Sequence, residues 1–455
     1  MAYCLMFGCA IGFYLFLWPQ APITRPDTGS YLRAAQALLE PTFAQLQERG
    51  PGFPLLLILT GSSQSPTRAL FALSMFMHFT CIWLLAGLLY RNGLSEALLI
   101  VFGVVLILPP YAEPAGYVLS ENLTEFTLVL GFASLSFWFV LGCKSWSLLS
   151  LASLAMACSA LTRPAFQLLA FTVAVFLCLG SYVLCGSLKF RKALLASGSL
   201  ILVSGALIGG YSASNYIRYG YFTVTPKLGL TLTTKTVRFV ELLPPEHLEI
   251  RKILIRARDS ELTSESSHTG AMYIWGIVDQ LVAATGMDYA TLSSHMLKLN
   301  LQLIGKAPLR YLQDVIWAFG SYWLPASDEL ANMNSRFLQF IWGAIHFGVI
   351  TLFFCTLCLC IAAGFFFNRT RNAMRNVDLQ SDAMHTWQME WLFICGIGAT
   401  VVMYSPLISA LVEAGNSRFR LPTDSLILFV VFLGLSLLAQ FNSMYSVKLA
   451  RESDL

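Results

Sequence analysis

Residues 193–213 read ALLASGSLILVSGALIGGYSA and contain no charged side chain. A helix rises about 1.5 Å per residue and the hydrocarbon core of a bilayer is about 30 Å thick, so roughly 20 apolar residues cross it. The segment follows the basic run KFRK at 189–192, and such runs mark the cytoplasmic ends of membrane spans. The sequence therefore predicts a transmembrane helix over 193–213.

Apolar segments of this kind recur along the whole chain. The first of them has no basic residue before it and no small-residue cleavage pattern after it, so we expect a retained anchor and not a signal peptide. Together they predict an all-α polytopic membrane protein with about ten transmembrane helices, within a range of nine to twelve. The candidate spans are 2–18, 68–90, 95–112, 119–142, 146–162, 164–186, 193–213, 337–366, 388–410 and 423–443.

The overall composition agrees with a membrane protein. Of the 455 residues, 56% are hydrophobic and 12% are charged, about half the charge of a typical globular protein. A cytosolic enzyme, a disordered regulator and a secreted domain are excluded, because so few charges do not cover a soluble surface. The net charge of +4 gives no basis for nucleic-acid binding. The eleven cysteines lie in or beside apolar runs, which predicts no disulfide framework and, for Cys355, Cys358 and Cys360, packing or lipid contact in place of a metal site.

Two regions are too polar to be spans and divide the chain. Residues 19–67 form a loop whose apolar piece, Phe53–Leu59, is too short to cross a bilayer. Residues 214–336 form the one long polar stretch, which predicts a helical domain at the membrane surface. The expected organisation is a transmembrane module over 1–213 containing the 19–67 loop, a juxtamembrane domain over 214–336, and further transmembrane helices over 337–455.

Basic residues in short loops indicate the orientation, because cytoplasmic loops carry an excess of Lys and Arg. An amino terminus inside the cell places the clusters at 189–192, 369–375 and 448–451 inside. The same alternation places 19–67 and 214–336 outside, and with them Arg163 and the 411–422 loop. Several basic residues then lie on the outer side, which an anionic ligand would explain.

The 19–67 loop contains two polar motifs, RPDTGSY at 25–31 and RGPGFP at 49–54. Proline fixes φ and glycine permits tight reversals, so the loop should fold back towards the membrane and hold Asp27 at its surface. Asp27 then is a candidate functional carboxylate. The alternative is that Asp27 is simply the N-cap of an amphipathic helix over 28–39.

A second acidic position lies at the start of the fourth span. Glu121 and Glu125 are four residues apart and share one helical face. Carboxylates inside a membrane usually face a polar cavity and carry function. Glu121 could instead cap a helix end among the lipid headgroups, and Glu113 is a weaker candidate for the second acid. His78 and His346 lie inside spans, where hydrogen bonds between helices are the expected role, and the histidines show no metal-ligand spacing.

These motifs occur in an order that resembles the polytopic glycosyltransferases with the GT-C fold. That group includes the protein O-mannosyltransferases and the lipid A aminoarabinose transferases. A short first span, the DTGSY motif at 27–31 and the RGPGFP motif at 49–54 carry the resemblance. Phe419 stands where the family usually has Tyr. The further matching elements are SEN at 120–122, TRP at 162–164, NYIRYGYF at 215–222, KAPLRY at 306–311 and the stretch from Glu413 to Pro422.

The resemblance implies an inverting transfer of a sugar from a polyprenyl-phosphate donor to a glycan, lipid or protein acceptor outside the cell. Asp27 would be the general base and Glu121 the second catalytic acid. Ser30, Tyr31 and Asn122 would position the substrate. A divalent cation is left open, and no other cofactor or nucleic-acid partner is implied. The residues expected to bind the donor phosphate are Arg49, Arg163, Arg218, Lys227, Arg418 and Arg420.

Two other classes of function stay open. The same charges could line the pathway of a lipid or solute transporter or flippase, although no matching halves are visible and the motifs cluster on one side. A family member could also bind a lipid-linked sugar without transferring it. No DxD motif and no phosphate loop is found, so a nucleotide donor is not favoured. The expected location is a bacterial or archaeal plasma membrane, or the endoplasmic reticulum of a eukaryote.

Overall fold

The computed structural model describes residues 8, 10–12, 14–16, 21–40, 48–184, 187–262, 272–326, 333, 335–373, 379–413 and 415–453. These residues are predominantly helical and contain no β-strand. Short 3₁₀ helices and one helical turn join the longer helices. The α-helices are α1 (Thr28–Leu39), α2 (Gly52–Leu59), α3 (Arg68–Arg91), α4 (Glu96–Ile107), α5 (Glu121–Val140), α6 (Trp146–Thr162), α7 (Leu169–Leu184), α8 (Ser187–Tyr219), α9 (Leu228–Thr236), α10 (Leu248–Leu262), α11 (Val278–Thr285), α12 (Tyr289–Lys306), α13 (Pro308–Tyr322), α14 (Arg336–Ala373), α15 (Leu379–Val412) and α16 (Asp424–Ser453).

Seven helical segments of the described chain are long and apolar enough to cross a bilayer, which is the signature of a multi-pass membrane protein. They coincide with seven of the ten segments predicted from hydropathy. The other three predicted spans are 95–112, 146–162 and 2–18. The seven segments are Arg68–Arg91, Glu121–Val140, Pro164–Ser181, Phe190–Tyr219, Arg336–Phe365, Met389–Val412 and Ser417–Gln440.

The span predicted over 95–112 is broken. Glu96–Ile107 and Pro109–Gly116 meet at an angle of 63°, so they form either one bent span or a re-entrant loop. Leu108 has an extended backbone because it precedes a proline, and Pro109 and Pro110 lack the N–H groups that would continue α4. The span predicted over 146–162 is a helix of 17 residues, shorter than the other seven. The predicted first span, 2–18, lies largely outside the described residues.

The centre of the helical bundle is formed by α5, α15 and α16. In the apolar stretch of Glu121–Val140, 72% of the residues are buried inside the protein, against 11% in Arg336–Phe365. Phe132 of α5 packs edge-on against Phe429 of α16, with ring centroids 5.2 Å apart. Helix α14 therefore presents most of its apolar side chains outwards, where lipid would solvate them.

The polar region between α8 and α14 has a hydrophobic core of its own. Leu230, Leu254 and Leu299 are among its buried residues. Asn300 of α12 donates a hydrogen bond to the carbonyl of Gly229 at 2.7 Å, which ties α12 to the start of α9. These contacts hold α9 in the position from which it reaches the charged site.

Helix α13 is amphipathic and faces outwards with a row of large apolar side chains. Leu309, Leu312, Ile316 and Trp317 are all exposed, and their spacing places them on one face of the helix. A helix with such a face usually lies in the interface of a membrane. Helix α13 lies within the 214–336 region, for which the sequence predicts a helical domain at the membrane surface.

Contacts between residues distant in sequence mark the two ends of the bundle. At one end the backbone of Ile23 pairs with the segment before α5, through hydrogen bonds to Gly116 and Val118. At the other end Gln440 donates to the carbonyl of Asn92 at 2.9 Å. The 19–67 loop and the start of α5 are therefore neighbours at the same end.

Candidate functional site

Asp27 lies at the first turn of α1, and its carboxylate is held by two arginines. Arg49 Nη2 is 2.7 Å from Asp27 Oδ1, and Arg418 Nη2 is 3.2 Å from Asp27 Oδ2. The predicted helix over 28–39 is confirmed, but the Asp27 side chain makes no capping hydrogen bond to it. The Asp27 carboxylate therefore belongs to the ion-pair cluster and does not cap the helix.

Arg49 reaches Asp27 because its loop packs tightly against the end of α6. A Cβ atom on Gly50 would lie 2.2 Å from the carbonyl oxygen of Leu161, and one on Gly52 would lie 2.3 Å from Thr162 Oγ1. Only glycine allows this approach. The loop therefore folds back onto the helix bundle, as its glycines and prolines predicted.

Ser30 and Tyr31 of α1 hold the guanidinium of Arg49 in place. Arg49 Nε donates to Ser30 Oγ at 2.8 Å, and the guanidinium lies 4.5 Å above the ring of Tyr31. The hydroxyl of Tyr31 also shares a hydrogen bond of 2.8 Å with Ser120, the residue before Glu121. The two side chains predicted to position a substrate thus position Arg49 and the start of α5.

Glu121 is buried, with 2% of its surface exposed, and joins the same cluster. Arg418 Nε donates to Glu121 Oε1 at 2.7 Å, and Arg163 Nη1 lies 3.8 Å from the same oxygen. The Arg163 guanidinium is also 5.1 Å from the ring of Phe419. Arg418 therefore bridges Asp27 and Glu121, and four segments far apart in sequence meet in one cluster.

Lys227 and two acids absent from the predicted site surround this cluster. Lys227 Nζ lies 3.8 Å from Glu48 Oε2 and 5.2 Å above the ring of Trp275. Burial, helped by Arg49, lowers the pKa of Lys227 to about 8. Glu413 follows α15, and burial raises the pKa of its carboxyl group to about 7 in spite of Arg163, Lys227 and Arg49.

Neither Glu48 nor Glu413 had a sequence signal of its own. Glu48 is adjacent to Arg49, and Glu413 begins the element that contains Arg418. Nothing in either local pattern indicates that both acids approach Lys227.

Three of the predicted site residues take other places. Arg420 is 1% exposed, and its guanidinium binds Asp424 at 2.7 Å and the carbonyl of Leu324 at 2.6 Å, which holds α16 to the end of α13. Arg218 is exposed at the end of α8, and no described ion pair or hydrogen bond joins it to the cluster. Asn122 is buried and donates to the carbonyl of Ser74 at 2.9 Å.

The charges of the cluster nearly balance. Burial opposes ionisation of Asp27, but Arg49 and Arg418 outweigh it and hold the pKa of Asp27 below its ordinary value. Arg163 is the least committed cation, because its Nη1 atom is buried and has no hydrogen-bond partner among the described residues. Arg163 therefore has an N–H group available for a bound anion. An anion that binds Arg49 or Arg418 would have to share the guanidinium with a carboxylate.

Within the part of the chain that the structure describes, no group of three or more His, Cys, Asp or Glu side chains is arranged to hold a metal ion. Cys355 and Cys358 are exposed on α14, and Cys360 contacts Cys395 of α15, with the two sulfur atoms 3.5 Å apart. His78 and His346 both make hydrogen bonds between helices, as predicted: His78 to Glu125 and to the carbonyl of Leu106, and His346 to the carbonyl of Trp323.

Fold and site together define a multi-pass helical membrane protein with a buried cluster of arginines and carboxylates at one end of its bundle. No protein-family model, no curated protein and no solved structure matches the chain. The function is therefore argued from the cluster itself.

Proposed function

We propose that this protein is an integral membrane glycosyltransferase that moves a sugar from a polyprenyl-phosphate donor to an acceptor on the outer side of the membrane. The observation that carries the proposal is the convergence of Asp27, Glu121 and three arginines at one end of the bundle. Such a donor needs cations for its phosphate and a carboxylate near the reacting carbon. Both occur together here, beside helices that expose large apolar surfaces.

In the proposed reaction the acceptor hydroxyl attacks the anomeric carbon while the bond from that carbon to the phosphate oxygen breaks. The hydroxyl proton goes to Asp27, and the polyprenyl phosphate leaves with the electron pair. The planar donors of Arg163, Arg49 and Arg418 suit the oxygens of the leaving phosphate. Attack from the face opposite the leaving group inverts the configuration of the sugar.

The ion pairs of Asp27 would make its strength as a base depend on donor binding. A carboxylate held by Arg49 and Arg418 is a weak base, because its pKa lies below the ordinary value. A donor phosphate that binds these arginines would weaken their hold on Asp27 and raise its pKa. The base would thus become effective only when the donor is in place.

Glu413 is a second candidate for the base. Its pKa of about 7 is closer to the value that general-base catalysis favours near neutral pH. The charges of Arg163, Lys227 and Asp27 influence the pKa of Glu413. We assign the role to Asp27 because it is the carboxylate that contacts two of the proposed phosphate-binding arginines.

The membrane arrangement belongs to the same proposal. We propose about ten spans, with the described long apolar helices supplemented by the broken 95–116 segment, by Trp146–Thr162 and by 2–18. The 19–67 loop and the 214–336 region would face the outer side, with α13 lying in the membrane interface. The long lipid chain of the donor would then approach along the apolar faces of the bundle.

Purified full-length protein in lipid vesicles tests the proposal with a panel of radiolabelled polyprenyl-phosphate pentoses and hexoses and an envelope fraction as acceptor. We expect transfer of label with one donor, reduced about 10²–10⁴-fold by Asp27→Asn. Asp279→Asn, an exposed carboxylate on α11, is the control and should keep the full rate. If the wild-type protein neither binds nor consumes any donor in the panel, the proposal fails.

A transporter or flippase is the second candidate, favoured by the acidic face that continues inwards from Glu121 to Glu125 and His78. Translocation of a fluorescent lipid-linked sugar across the vesicle membrane, without loss of the sugar, would support it. Donor-dependent thermal stabilisation with neither transfer nor translocation would indicate a binding protein.

A further inference from the structure

A small polar cavity lies beside Glu121. It has room of about 10 Å³ for the centre of a water-sized molecule, which is about the space that one water needs. Tyr111 and six other polar or ionisable residues line it. These six are Glu121, Asn122, Glu125, His78, Asp424 and Ser425.

Three of the residues that line the cavity each carry a buried side-chain atom without a hydrogen-bond partner among the described residues. These atoms are Glu121 Oε2, Asn122 Oδ1 and Ser425 Oγ. The residues that carry them are 2%, 4% and 1% exposed, respectively. A buried polar atom without a partner costs about 1–3 kcal/mol, so three of them around one cavity indicate a shared ligand.

His78, Glu125 and Asp424 each have a hydrogen-bond partner within the protein. His78 Nδ1 is 3.1 Å from Glu125 Oε2, and its Nε2 donates to the carbonyl of Leu106 at 3.0 Å. Asp424 accepts from Arg420 at 2.7 Å. The three unpartnered atoms are therefore the ones for which a ligand is required.

The donor and acceptor roles of these three atoms are largely determined. The amide nitrogen of Asn122 donates to the carbonyl of Ser74 at 2.9 Å, and a carbonyl only accepts, so the unpartnered atom of Asn122 is the oxygen Oδ1, which is an acceptor. Glu121 Oε2 is an acceptor, since the carboxylate pairs with Arg418 through Oε1. The hydroxyl of Ser425 rotates and is able to donate.

We propose that the cavity is a binding site for one internal water molecule. The water donates its two hydrogens to Glu121 Oε2 and Asn122 Oδ1 and accepts the hydrogen of the Ser425 hydroxyl. The two hydrogens and one acceptor position of the water match the three unpartnered atoms. Internal waters make about three hydrogen bonds. A sodium ion fits less well, because Arg418 and Arg420 already neutralise Glu121 and Asp424.

The water would extend the charged cluster into the helix bundle. One oxygen of Glu121 accepts from Arg418, and the other would be joined through the water to Ser425 of α16 and Asn122 of α5. Glu121 would then be fixed from both sides. This inference stands whatever chemistry the outer cluster performs.

A double-mutant cycle on the full-length protein tests the site through thermal unfolding. No direct hydrogen bond joins Asn122 and Ser425, so without a shared ligand the Tm losses of Asn122→Ala and Ser425→Ala should add. A shared water predicts that the double variant loses clearly less than the sum, because the first substitution already releases the water. Ser425→Ala combined with Ser153→Ala, a buried serine of α6 that bonds Ser199, is the control pair and should be additive.

Two further measurements decide the nature of the ligand. An experimental density map should show a single peak roughly 2.7–3.2 Å from all three oxygens. The Tm of the wild-type protein should not change when sodium chloride is replaced by choline chloride at equal ionic strength. Additive losses in the cycle, a map without the peak, or a sodium-dependent Tm that Ser425→Ala abolishes would overturn the water site.

Discussion

Arg418 Nε lies 2.7 Å from Glu121 Oε1, although 297 residues separate the two in the sequence. The same guanidinium contacts Asp27 at 3.2 Å. One side chain from the loop before the last helix thus joins the first polar loop to the start of a central helix. The cluster depends on this bridge, and most of the following predictions probe it or the segments around it.

Removal of the bridge should destabilise the protein strongly. Arg418→Gln leaves Glu121 buried without its closest counter-charge, and the loss of one partner of a buried pair typically costs about 3–5 kcal/mol. Thermal unfolding of the purified protein measures the loss. Arg238→Gln, which breaks an equally short pair with Asp314 whose arginine side chain is 48% exposed, should cost at most about 1 kcal/mol. Glu121→Gln added to Arg418→Gln should recover part of the stability, and a double variant less stable than Arg418→Gln would contradict the pairing.

The 49–54 loop should tolerate no side chain at its glycines. Gly50→Ala would place a methyl group against the carbonyl of Leu161, and such overpacking typically costs about 1–3 kcal/mol. Because the loop carries Arg49, the shift should also weaken the contact with Asp27. Gly276→Ala meets nothing within 4 Å and serves as the control in the same unfolding assay. Equal Tm values for the two variants would show that the loop does not pack as described.

The stability of the protein should depend on pH through Glu413. The pKa of this carboxyl group is raised from 4.5 to about 7 in the folded state. The folded protein therefore binds more protons than the unfolded chain between these values, and stability falls as the pH rises from 4.5 to 7. Glu413→Gln should flatten this part of the Tm profile, whereas Glu246→Gln, at an exposed position, should leave it unchanged. An unaltered slope in the Glu413 variant would count against a buried acid at this site.

Opposite ends of the bundle should be reachable from opposite sides of the membrane. In a variant without native cysteines, Gly61→Cys and Glu246→Cys lie towards the cluster, and Gly142→Cys lies at the other end, where Lys192 donates to the carbonyl of Gly142 at 2.9 Å. A membrane-impermeant maleimide should label the first two from the same side and Gly142→Cys only after permeabilisation. Labelling of all three from one side would refute the proposed topology.

Much of the secondary structure followed from local patterns. The helix expected over 28–39 begins and ends at the predicted residues, because an amphipathic face is a short-range signal. The break in the 95–112 segment was missed, although Pro109 and Pro110 were visible. The hydropathy of the segment is continuous, and hydropathy alone does not register the backbone groups that two prolines remove.

Five of the residues named from the sequence lie together in the structure. The convergence of Asp27, Glu121, Arg49, Arg163 and Arg418 agrees with their proposed grouping. Arg420 was grouped with Arg418 because the two are close in sequence, yet it points into the bundle and binds Asp424. Two residues along a tight 3₁₀ turn project in different directions, so proximity in sequence did not predict a shared site.

The sequence by itself determined that this chain is a helical membrane protein, and it marked the few charges that need a partner. Hydropathy and helix signals are local in the sequence, so they predict helices and membrane spans without knowledge of the tertiary structure. Only the tertiary structure decided which charges meet. The pairing of Arg418 with Glu121, the approach of Glu413 and Lys227, and the cavity between Glu121 and Ser425 all depend on how distant helices pack, and no local pattern encodes that order.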